Sequence, residues 1–147
     1  MKALIQRAGS ASVTVGGEQI ATIGKGFLVL LGVAPGDSAE MADRLAGRTV
    51  RLRIFEDADG KTNRSIADVG GSIVVVSQFT LYADTAHGNR PGFSGAARPE
   101  TARPLYERYV ARLREMLGAE RVATGRFGAH MAVALVNDGP FTVELSE

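Results

Sequence analysis

Cysteine is absent from the 147-residue chain, and histidine occurs only twice, at His87 and His130. Without thiols the chain can form no disulfide, no thiolate nucleophile and no cysteine-ligated zinc site. Two histidines leave few ways to build a zinc site or a Ser-His-Asp triad. The glycines between Gly16 and Phe27 match neither the GxGxxG fingerprint nor a P-loop with its lysine. We therefore expect neither a metal nor a cofactor.

An excess of one charge and a long apolar run are also missing. Lys and Arg number 17 against 16 Asp and Glu, so the overall charge does not indicate a nucleic-acid binder, although a local basic patch would suffice for one. No segment is long and apolar enough to span a membrane, and the N-terminal "MKALIQRAGS" lacks the apolar core of a signal peptide. We expect a cytoplasmic protein with no membrane partner.

Apolar and β-branched runs predict several strands, some of which follow one another directly. The pair Gly16–Gly17 predicts a hairpin turn, and the strongest strand signal is "SIVVVSQFTLYA" at residues 72–83. The other predicted strands are "ALIQRA", "ASVTV", "EQIATI", "GFLVLLGV", "RVATG" and "HMAVALV".

Helical spacing of apolar residues predicts two helices. The first begins near Asp37 or Ser38, either of which can cap it, and the second runs from Pro99 to Gly118. Because consecutive strands outnumber strand-helix-strand units, the pattern predicts a single compact α/β domain over residues 1–147, β-rich and with two main helices.

The stretch "SQFTL" lies where the strongest predicted strand leaves the core. In a continuing strand Gln78 and Thr80 share one face, opposite Ser77 and Phe79. This pattern is typical of a strand that returns to solvent, and it equally suits a polar cluster that meets a substrate. Thr80 is a candidate nucleophile only if another group activates it.

The stretch "NDGPFT", residues 137–142, combines turn residues with a proline directly after a glycine. A hairpin turn with Thr142 starting the next strand is one interpretation. A bulge or a cis Gly139–Pro140 bond is the other, since proline is poorly suited to a tight two-residue hairpin and tolerates a cis bond.

The long Gly/Pro loop from Asp84 to Glu100 carries Arg90, Arg98 and Phe93. Such a composition suits contacts to phosphates and stacking on a base. It is equally typical of a solvated, flexible loop.

Together, "SQFTL" and "NDGPFT" resemble the D-aminoacyl-tRNA deacylase family, whose signatures are Ser-Gln-Phe-Thr and Asn-x-Gly-Pro-x-Thr. The similarity covers nearly the whole chain in family order, through "ALIQRA", "ASVTV", "GFLVLLGV", "RIFEDADGK", "GGSIVVVSQFTLYADT" and "TGRFGAHMAVALVNDGP". One departure lies in the long loop, where Arg90–Phe93 reads "RPGF" and the family usually has "RPSF".

The resemblance implies a barrel-like fold and a homodimeric enzyme. That enzyme hydrolyses the ester joining a D-amino acid to tRNA, also acts on glycine attached to the wrong tRNA, and rejects L-aminoacyl-tRNA. A cis Gly-Pro bond of each subunit reaches into the partner's site. Residue by residue, the resemblance implies catalytic roles for Ser77, Gln78 and Thr80, and substrate-binding roles for Phe79, Asn137, Gly139, Pro140, Thr142 and Arg7, with Arg7 bracing the Gly-Pro segment.

Two mechanisms and two other functions remain open. Thr80 attacks the ester directly, or the neighbouring ribose hydroxyl and a water do so while backbone N–H groups near Phe79 and Thr80 stabilise the oxyanion. We favour the second mechanism because neither motif contains a histidine or cysteine to act as base. The competing functions are a non-catalytic RNA-binding module and a threonine-dependent peptide or ester hydrolase.

Overall fold

The computed structural model describes residues 1–147, which form eight strands and two α-helices. The strands are β1 (Lys2–Val15), β2 (Glu18–Ile23), β3 (Gly26–Gly32), β4 (Arg53–Glu56), β5 (Thr62–Ser65), β6 (Ser72–Ser77), β7 (Val122–Thr124) and β8 (Ala132–Ser146). The helices are α1 (Ala39–Arg51) and α2 (Pro99–Leu117), and short 3₁₀ turns cover Phe79–Tyr82 and Ala119–Arg121. Neither α-helix combines the length and the apolar content that a membrane span requires.

Six strands form one mixed sheet in the order β2-β1-β3-β6-β7, with β8 also paired to β1. The pairs of β1 with β2, β3 and β8 are antiparallel, whereas β3–β6 and β6–β7 are parallel. The first half of β1 pairs with β3 and the second half with β2, while β8 follows β1 along most of its length. Because β2 curves back towards β6 and β7, the sheet is a nearly closed barrel, which confirms the predicted β-rich α/β fold.

Both helices cover one face of this sheet and enclose the larger apolar core. Their contact includes a buried polar pair, in which the hydroxyls of Thr49 on α1 and Tyr109 on α2 lie 2.8 Å apart. A smaller apolar cluster, which includes Val13, Leu28 and Val74, fills the other side of the sheet. Since strands such as β3 are buried on both faces, their continuous apolar sequence is explained.

The predicted helix boundaries are confirmed. The hydroxyl of Ser38 caps α1 by accepting a hydrogen bond from the Met41 N–H at 3.3 Å, whereas Asp37 instead binds the Ala34 N–H and the N-terminal ammonium. Pro99 occupies the first turn of α2, where its missing N–H costs no hydrogen bond. Gly118 ends α2 with φ at +95°, a backbone conformation that favours glycine.

The expectation that the strand continues through "SQFTL" is wrong. Strand β6 ends at Ser77, which is also where its pairing with β3 ends, and Phe79–Tyr82 turns into a 3₁₀ helix. This turn packs tightly on Gly32, since a Cβ at Gly32 would lie only 3.1 Å from the Leu81 Cβ and 3.2 Å from the Gln78 carbonyl oxygen. Strand alternation therefore does not set the direction of the Gln78 and Thr80 side chains.

Residues 137–142 form a bulge inside β8 and not a hairpin turn. Asn137 is opposite Ala8 and Thr142 is opposite Gln6, so β8 uses five residue steps where β1 uses two. The extra residues project from the strand as an insertion of the bulge type. We call residues 137–142 the β8 bulge; its Gly139–Pro140 bond is cis, as predicted.

Candidate active site

A cavity of about 410 Å³ opens where β6 ends. Its walls come from the end of β3, the "SQF" stretch, the second half of the long loop, the first turns of α2 and the segment before β8. The lining residues are Leu31, Val33, Ser77, Gln78, Phe79, Phe93, Ala96, Ala97, Arg98, Pro99, Ala102, Tyr106, Phe127 and Gly128. The walls are mainly apolar, with polar groups concentrated at Ser77, Gln78 and Arg98, which is typical of a small-ligand site.

Tyr106 forms a fixed wall of this cavity. Its hydroxyl donates to the Val75 carbonyl oxygen on β6 at 2.9 Å, and its ring packs at 5.7 Å from that of Phe127. Burial raises the pKa of Tyr106 to about 12, so the hydroxyl stays protonated at neutral pH and keeps donating. The cavity wall and the strand that leads to Ser77 are thereby joined.

Two exposed aromatic rings flank the cavity. Phe79 is 56% exposed and Phe93 is 40% exposed. Their rings meet edge to face with centroids 5.0 Å apart, an arrangement that aromatic pairs favour. Phe93, from the long loop, is therefore positioned by the same motif that contributes Ser77 and Gln78.

Thr80 receives a hydrogen bond from the side-chain amide of Gln78, and no acidic or basic side chain hydrogen-bonds its hydroxyl. Thr80 is exposed and does not line the main cavity. His130 lines a second cavity of about 260 Å³ together with Ser77, Gln78 and Phe79. The threonine is thus oriented by an amide, which cannot remove its proton.

Arg7, only 6% exposed, supports the β8 bulge from β1. Its Nε donates to the Asp138 carbonyl oxygen at 2.9 Å, and a terminal nitrogen donates to the Ile54 carbonyl oxygen at 2.5 Å. The guanidinium also lies 3.3 Å from the Asp138 carboxylate and 5.0 Å from the centre of the Phe141 ring. One buried cation therefore contacts residues on both sides of Gly139–Pro140.

Asn137 and Thr142 close the base of the bulge. The Asn137 side-chain oxygen accepts from the Phe141 N–H at 2.7 Å, and its NH₂ group lies 3.2 Å from the Thr142 hydroxyl. Gln6 on β1 donates to the same hydroxyl at 3.3 Å. The polar atoms of these two signature residues are therefore engaged inside the bulge, where they hold its shape.

The structure assembles the predicted site residues into two separate groups within one chain. Ser77, Gln78 and Phe79 line the cavity at β6, whereas Gly139 and Pro140 lie on β8. Strands β3 and β1 lie between β6 and β8 in the sheet, and neither Gly139 nor Pro140 lines the cavity at β6. Within one chain the two groups of predicted site residues are therefore not joined.

Tyr106 and Phe127 are among the cavity residues that sequence reasoning missed. The four-residue apolar spacing in α2 runs through Leu105, Tyr109, Leu113 and Leu117, so it does not include Tyr106. Phe127 lies in a short loop between β7 and β8 and carries no periodic signal.

Comparison with known proteins agrees with this geometry. The family model described as D-Tyr-tRNA(Tyr) deacylase matches residues 4–146. A D-aminoacyl-tRNA deacylase of Symbiobacterium thermophilum is 54% identical over 143 residues, which is 97% of this chain and 93% of the relative. A protein of the same name from Dinoroseobacter shibae is 57% identical over 143 residues, covering 97% of both chains.

Solved structures show the same architecture. A structure described as c-Myc DNA Unwinding Element Binding Protein superposes with a TM-score of 0.95 at 42% identity, covering all of this chain and 99% of the other. A probable eukaryotic D-amino acid tRNA deacylase, 17% identical, shares the fold with a TM-score of 0.85 over 98% of this chain and 97% of its own. By its full-length family match and by relatives more than half identical, this chain belongs to the D-Tyr-tRNA(Tyr) deacylase family.

Proposed function

We propose that the protein hydrolyses the ester bond of D-aminoacyl-tRNA, releasing the free D-amino acid and tRNA, and so acts in proofreading for translation in the cytoplasm. The observation that carries the proposal is the cavity lined by Ser77, Gln78 and Phe79 of the family's Ser-Gln-Phe-Thr signature. The chain that contains it matches the family model from residue 4 to residue 146. The cavity volume of about 410 Å³ falls in the range of small-ligand sites, which suits the esterified end of a tRNA.

The proposed reaction needs no protein nucleophile. Water adds to the ester carbonyl carbon, and the tetrahedral intermediate collapses with the 3′-ribose oxygen as leaving group. The proton lost by the water passes through the neighbouring ribose hydroxyl to that oxygen. Phe79 and Thr80 begin a 3₁₀ turn, so their N–H groups have no acceptor within it. These two groups are the proposed donors to the oxyanion.

This mechanism is favoured over direct attack by Thr80. A hydroxyl is a weak nucleophile unless a base removes its proton. The side-chain partner of the Thr80 hydroxyl is the Gln78 amide, which has no basic atom. Thr80 and Gln78 accordingly position the substrate or water in the proposal.

We further propose a homodimer in which the β8 bulge of each subunit enters the cavity of the other. Within one chain Gly139 and Pro140 are separated from the cavity by strands β1 and β3. The outer edge of β8 has no strand partner, and Val136 on it is 64% exposed. Unpaired strand edges with exposed apolar residues favour pairing with another chain.

The proposed basis of chiral selection is steric. D- and L-aminoacyl-tRNA carry the same amine and ester and often the same side chain, so selection must act at Cα. The carbonyls of Gly139 and Pro140 in the partner subunit would bind the α-amine and leave no volume on the L side. Rejection by clash discriminates more strongly than preference among similar apolar groups. Such a filter accepts glycine, which has no side chain, so glycyl-tRNA is a proposed second substrate.

Deacylation assays test this function directly. Purified protein is incubated with D-Tyr-tRNA, L-Tyr-tRNA, Gly-tRNA and a small D-tyrosyl ester without RNA. Hydrolysis of D-Tyr-tRNA and Gly-tRNA, with L-Tyr-tRNA spared, is the expected result. Binding of tRNA without any hydrolysis would instead identify an RNA-binding module, and rapid turnover of the small ester would identify a general threonine hydrolase.

A further inference from the structure

An open groove of about 580 Å³ runs between α2 and the segment that follows β7. Three arginines line it: Arg103 and Arg114 from α2, and Arg126 from the segment before β8. All three are exposed. We call this surface the arginine groove; none of its arginines lies in "SQFTL" or "NDGPFT" or is among the predicted site residues.

Helical geometry aligns the charges along one face of α2. Arg103, Glu107 and Arg114 are four and seven residues apart, so they share that face. The eleven-residue interval from Arg103 to Arg114 spans about 16 Å of helix axis. The row is long enough to contact several successive phosphates of one nucleic-acid strand.

Most of the groove's positive charge is not neutralised within the chain. Glu107 is the one acidic residue that lines it. On the opposite side of α2, by contrast, Arg108 pairs with Asp43 at 2.7 Å and Arg112 pairs with Glu115 at 2.5 Å. Arg103, Arg114 and Arg126 take part in none of the ion pairs of the structure.

The guanidinium groups are partly oriented while most of their donors remain free. Arg103 lies over the Phe127 ring, with its central carbon 5.0 Å from the ring centre. Arg114 makes only long contacts, of 3.3 and 3.4 Å, to the Val122 carbonyl oxygen. Since each guanidinium has five N–H donors in a planar fork, these arginines retain donors that suit bidentate contact with phosphate oxygens.

The arginine groove adjoins the cavity at β6, because Tyr106 and Phe127 line both surfaces. A tRNA whose esterified 3′ end occupies the cavity must leave it along a neighbouring surface. The arginine groove is such a surface, and its charge is opposite to that of the RNA backbone.

We propose that the arginine groove binds the phosphates of the acceptor end of tRNA while the esterified 3′ end lies in the cavity. This inference rests on the proposed function, and it assigns Arg103, Arg114 and Arg126 to substrate affinity and not to the chemical step. Phosphate contacts from arginine are sequence-independent, so the groove would serve many tRNAs equally.

The test compares a long and a short substrate for the same enzyme. The long substrate is D-Tyr-tRNA, and the short one is 2′(3′)-O-(D-tyrosyl)adenosine, which has the ester and the terminal nucleoside but no phosphate. The variants are Arg103→Gln, Arg114→Gln and Arg126→Gln. The matched control is Arg112→Gln, which removes the same charge from the opposite side of α2. Arg126→Gln is the cleanest variant, because Arg126 makes no ion pair and no aromatic stacking contact.

Each groove variant should lower kcat/KM for D-Tyr-tRNA about threefold to tenfold at low salt. The slope of log(kcat/KM) against log[salt] should become shallower by about one unit for each arginine removed. The kcat/KM of the groove variants for the adenosine ester should equal that of the unmodified protein. Arg112→Gln should equal the unmodified protein in kcat/KM for both substrates and in salt dependence.

Three results would overturn the inference: no change for D-Tyr-tRNA in any groove variant, an equal loss on both substrates, or an equal loss in Arg112→Gln. An acidic protein partner for the groove would produce the first of these. Failure of the proposed function looks different, because the unmodified protein would then leave D-Tyr-tRNA intact.

Discussion

Arg7 and Asp138 are 131 residues apart in sequence, yet the Arg7 Nε donates to the Asp138 backbone carbonyl oxygen at 2.9 Å. The Arg7 side chain also lies 3.3 Å from the carboxylate of Asp138, a side chain that is half exposed. The backbone contact is the more important one, because it fixes the main chain immediately before Gly139. Arg7 thus links the interior of β1 to the segment that the proposed reaction uses.

Replacing Arg7 with alanine should impair both stability and activity. Loss of the guanidinium leaves the buried Ile54 carbonyl without its donor, which costs about 1–3 kcal/mol of unfolding free energy. The β8 bulge also loses its brace. In the proposed reaction this bulge binds the substrate, and a displacement of about 1 Å at such an element can cost about 10²-fold in rate. Urea unfolding and deacylation of D-Tyr-tRNA measure the two effects.

Arg48→Ala is the control for the Arg7 variant. Arg48 is exposed and pairs with Glu147 at the protein surface, so its loss should change stability by less than about 1 kcal/mol. A fully active Arg7→Ala enzyme would show that the bulge keeps its shape without the guanidinium.

Thr80→Ala and Thr80→Ser should both retain measurable deacylation. If Thr80 only positions water or substrate, kcat should fall by less than the roughly 10²–10⁴-fold typical of losing an acid-base group. Single-turnover assays with D-Tyr-tRNA measure the rate, and a binding assay with uncharged tRNA checks that the site is intact. Complete inactivity of Thr80→Ala with normal tRNA binding, or a trapped acyl-enzyme on Thr80, would establish the direct-attack mechanism instead.

The protein should sediment at twice its chain mass at micromolar concentration, and Val136→Glu should weaken that dimer. Val136 is 64% exposed on the unpaired edge strand, so a charge there costs a single subunit little. In an apolar interface the same charge is desolvated and repels its symmetry copy. Activity should fall in parallel with the dimer fraction.

Ala58→Glu is the matched control for Val136→Glu. It adds the same charge at an exposed position in the turn between β4 and β5 and should leave sedimentation unchanged. Full activity from a species that sediments as a monomer would contradict the two-subunit site.

Phe93→Ala should weaken use of both D-Tyr-tRNA and the adenosine ester. Phe93 packs edge to face against the exposed Phe79 ring and lines the cavity. An edge-to-face pair contributes about 0.5–1.5 kcal/mol beyond area burial, so kcat/KM should fall about twofold to tenfold. Phe93→Leu keeps an apolar side chain without the ring, so its kcat/KM should lie between the values for Phe93→Ala and the unmodified protein. Equal activity of all three proteins would mean that the long loop does not contribute to the cavity in solution.

Acid should destabilise the hairpin of β4 and β5 through Asp57. The Lys61 N–H, the Asn63 side chain and the Asp59 N–H donate to the Asp57 carboxylate and hold its pKa below the ordinary 3.8. A lowered folded-state pKa means that this stabilisation is complete above about pH 4 and disappears as the pH falls through the folded value.

Thermal unfolding measured from pH 6 to pH 2 checks this sign. Asp57→Asn should reduce stability at pH 6 and show a weaker loss in acid. Asp59→Asn, whose side chain accepts none of these hydrogen bonds, should keep the acid dependence of the unmodified protein. If Asp57→Asn and the unmodified protein lost the same amount of thermal stability in acid, the acid-sensitive group would be one other than Asp57.

Local chemistry made the helices and most strands predictable. Ser38, Pro99 and Gly118 act within one or two turns of their own position, so their neighbours in sequence are enough to interpret them. The resemblance predicts one site for Ser77, Gln78 and Phe79. All three line the cavity at β6, and their roles in a reaction stay a prediction.

Features that depend on distant contacts were not predictable. The strand through Ser77 stops because β3 ends beside it and Gly32 admits the 3₁₀ turn, and neither fact is visible in "SQFTL". The β8 bulge was one of two open interpretations, and the register of β1 against β8 decides between them. The arginine groove joins residues of α2 to Arg126 across a fold that periodicity alone does not specify.

The hydrogen bonds that shape the β8 bulge come from Arg7, Gln6, Asn137 and Thr142 of the same chain. In the proposed dimer, the β8 bulge of each subunit is therefore already folded before the two subunits associate. Association then requires orientation but no refolding, which is the regime in which proteins associate at about 10⁵–10⁷ M⁻¹s⁻¹. Dilution should accordingly inactivate the enzyme reversibly. Mixing two inactive variants, one altered at the β8 bulge and the other at the cavity, should restore about one active site in each hybrid dimer.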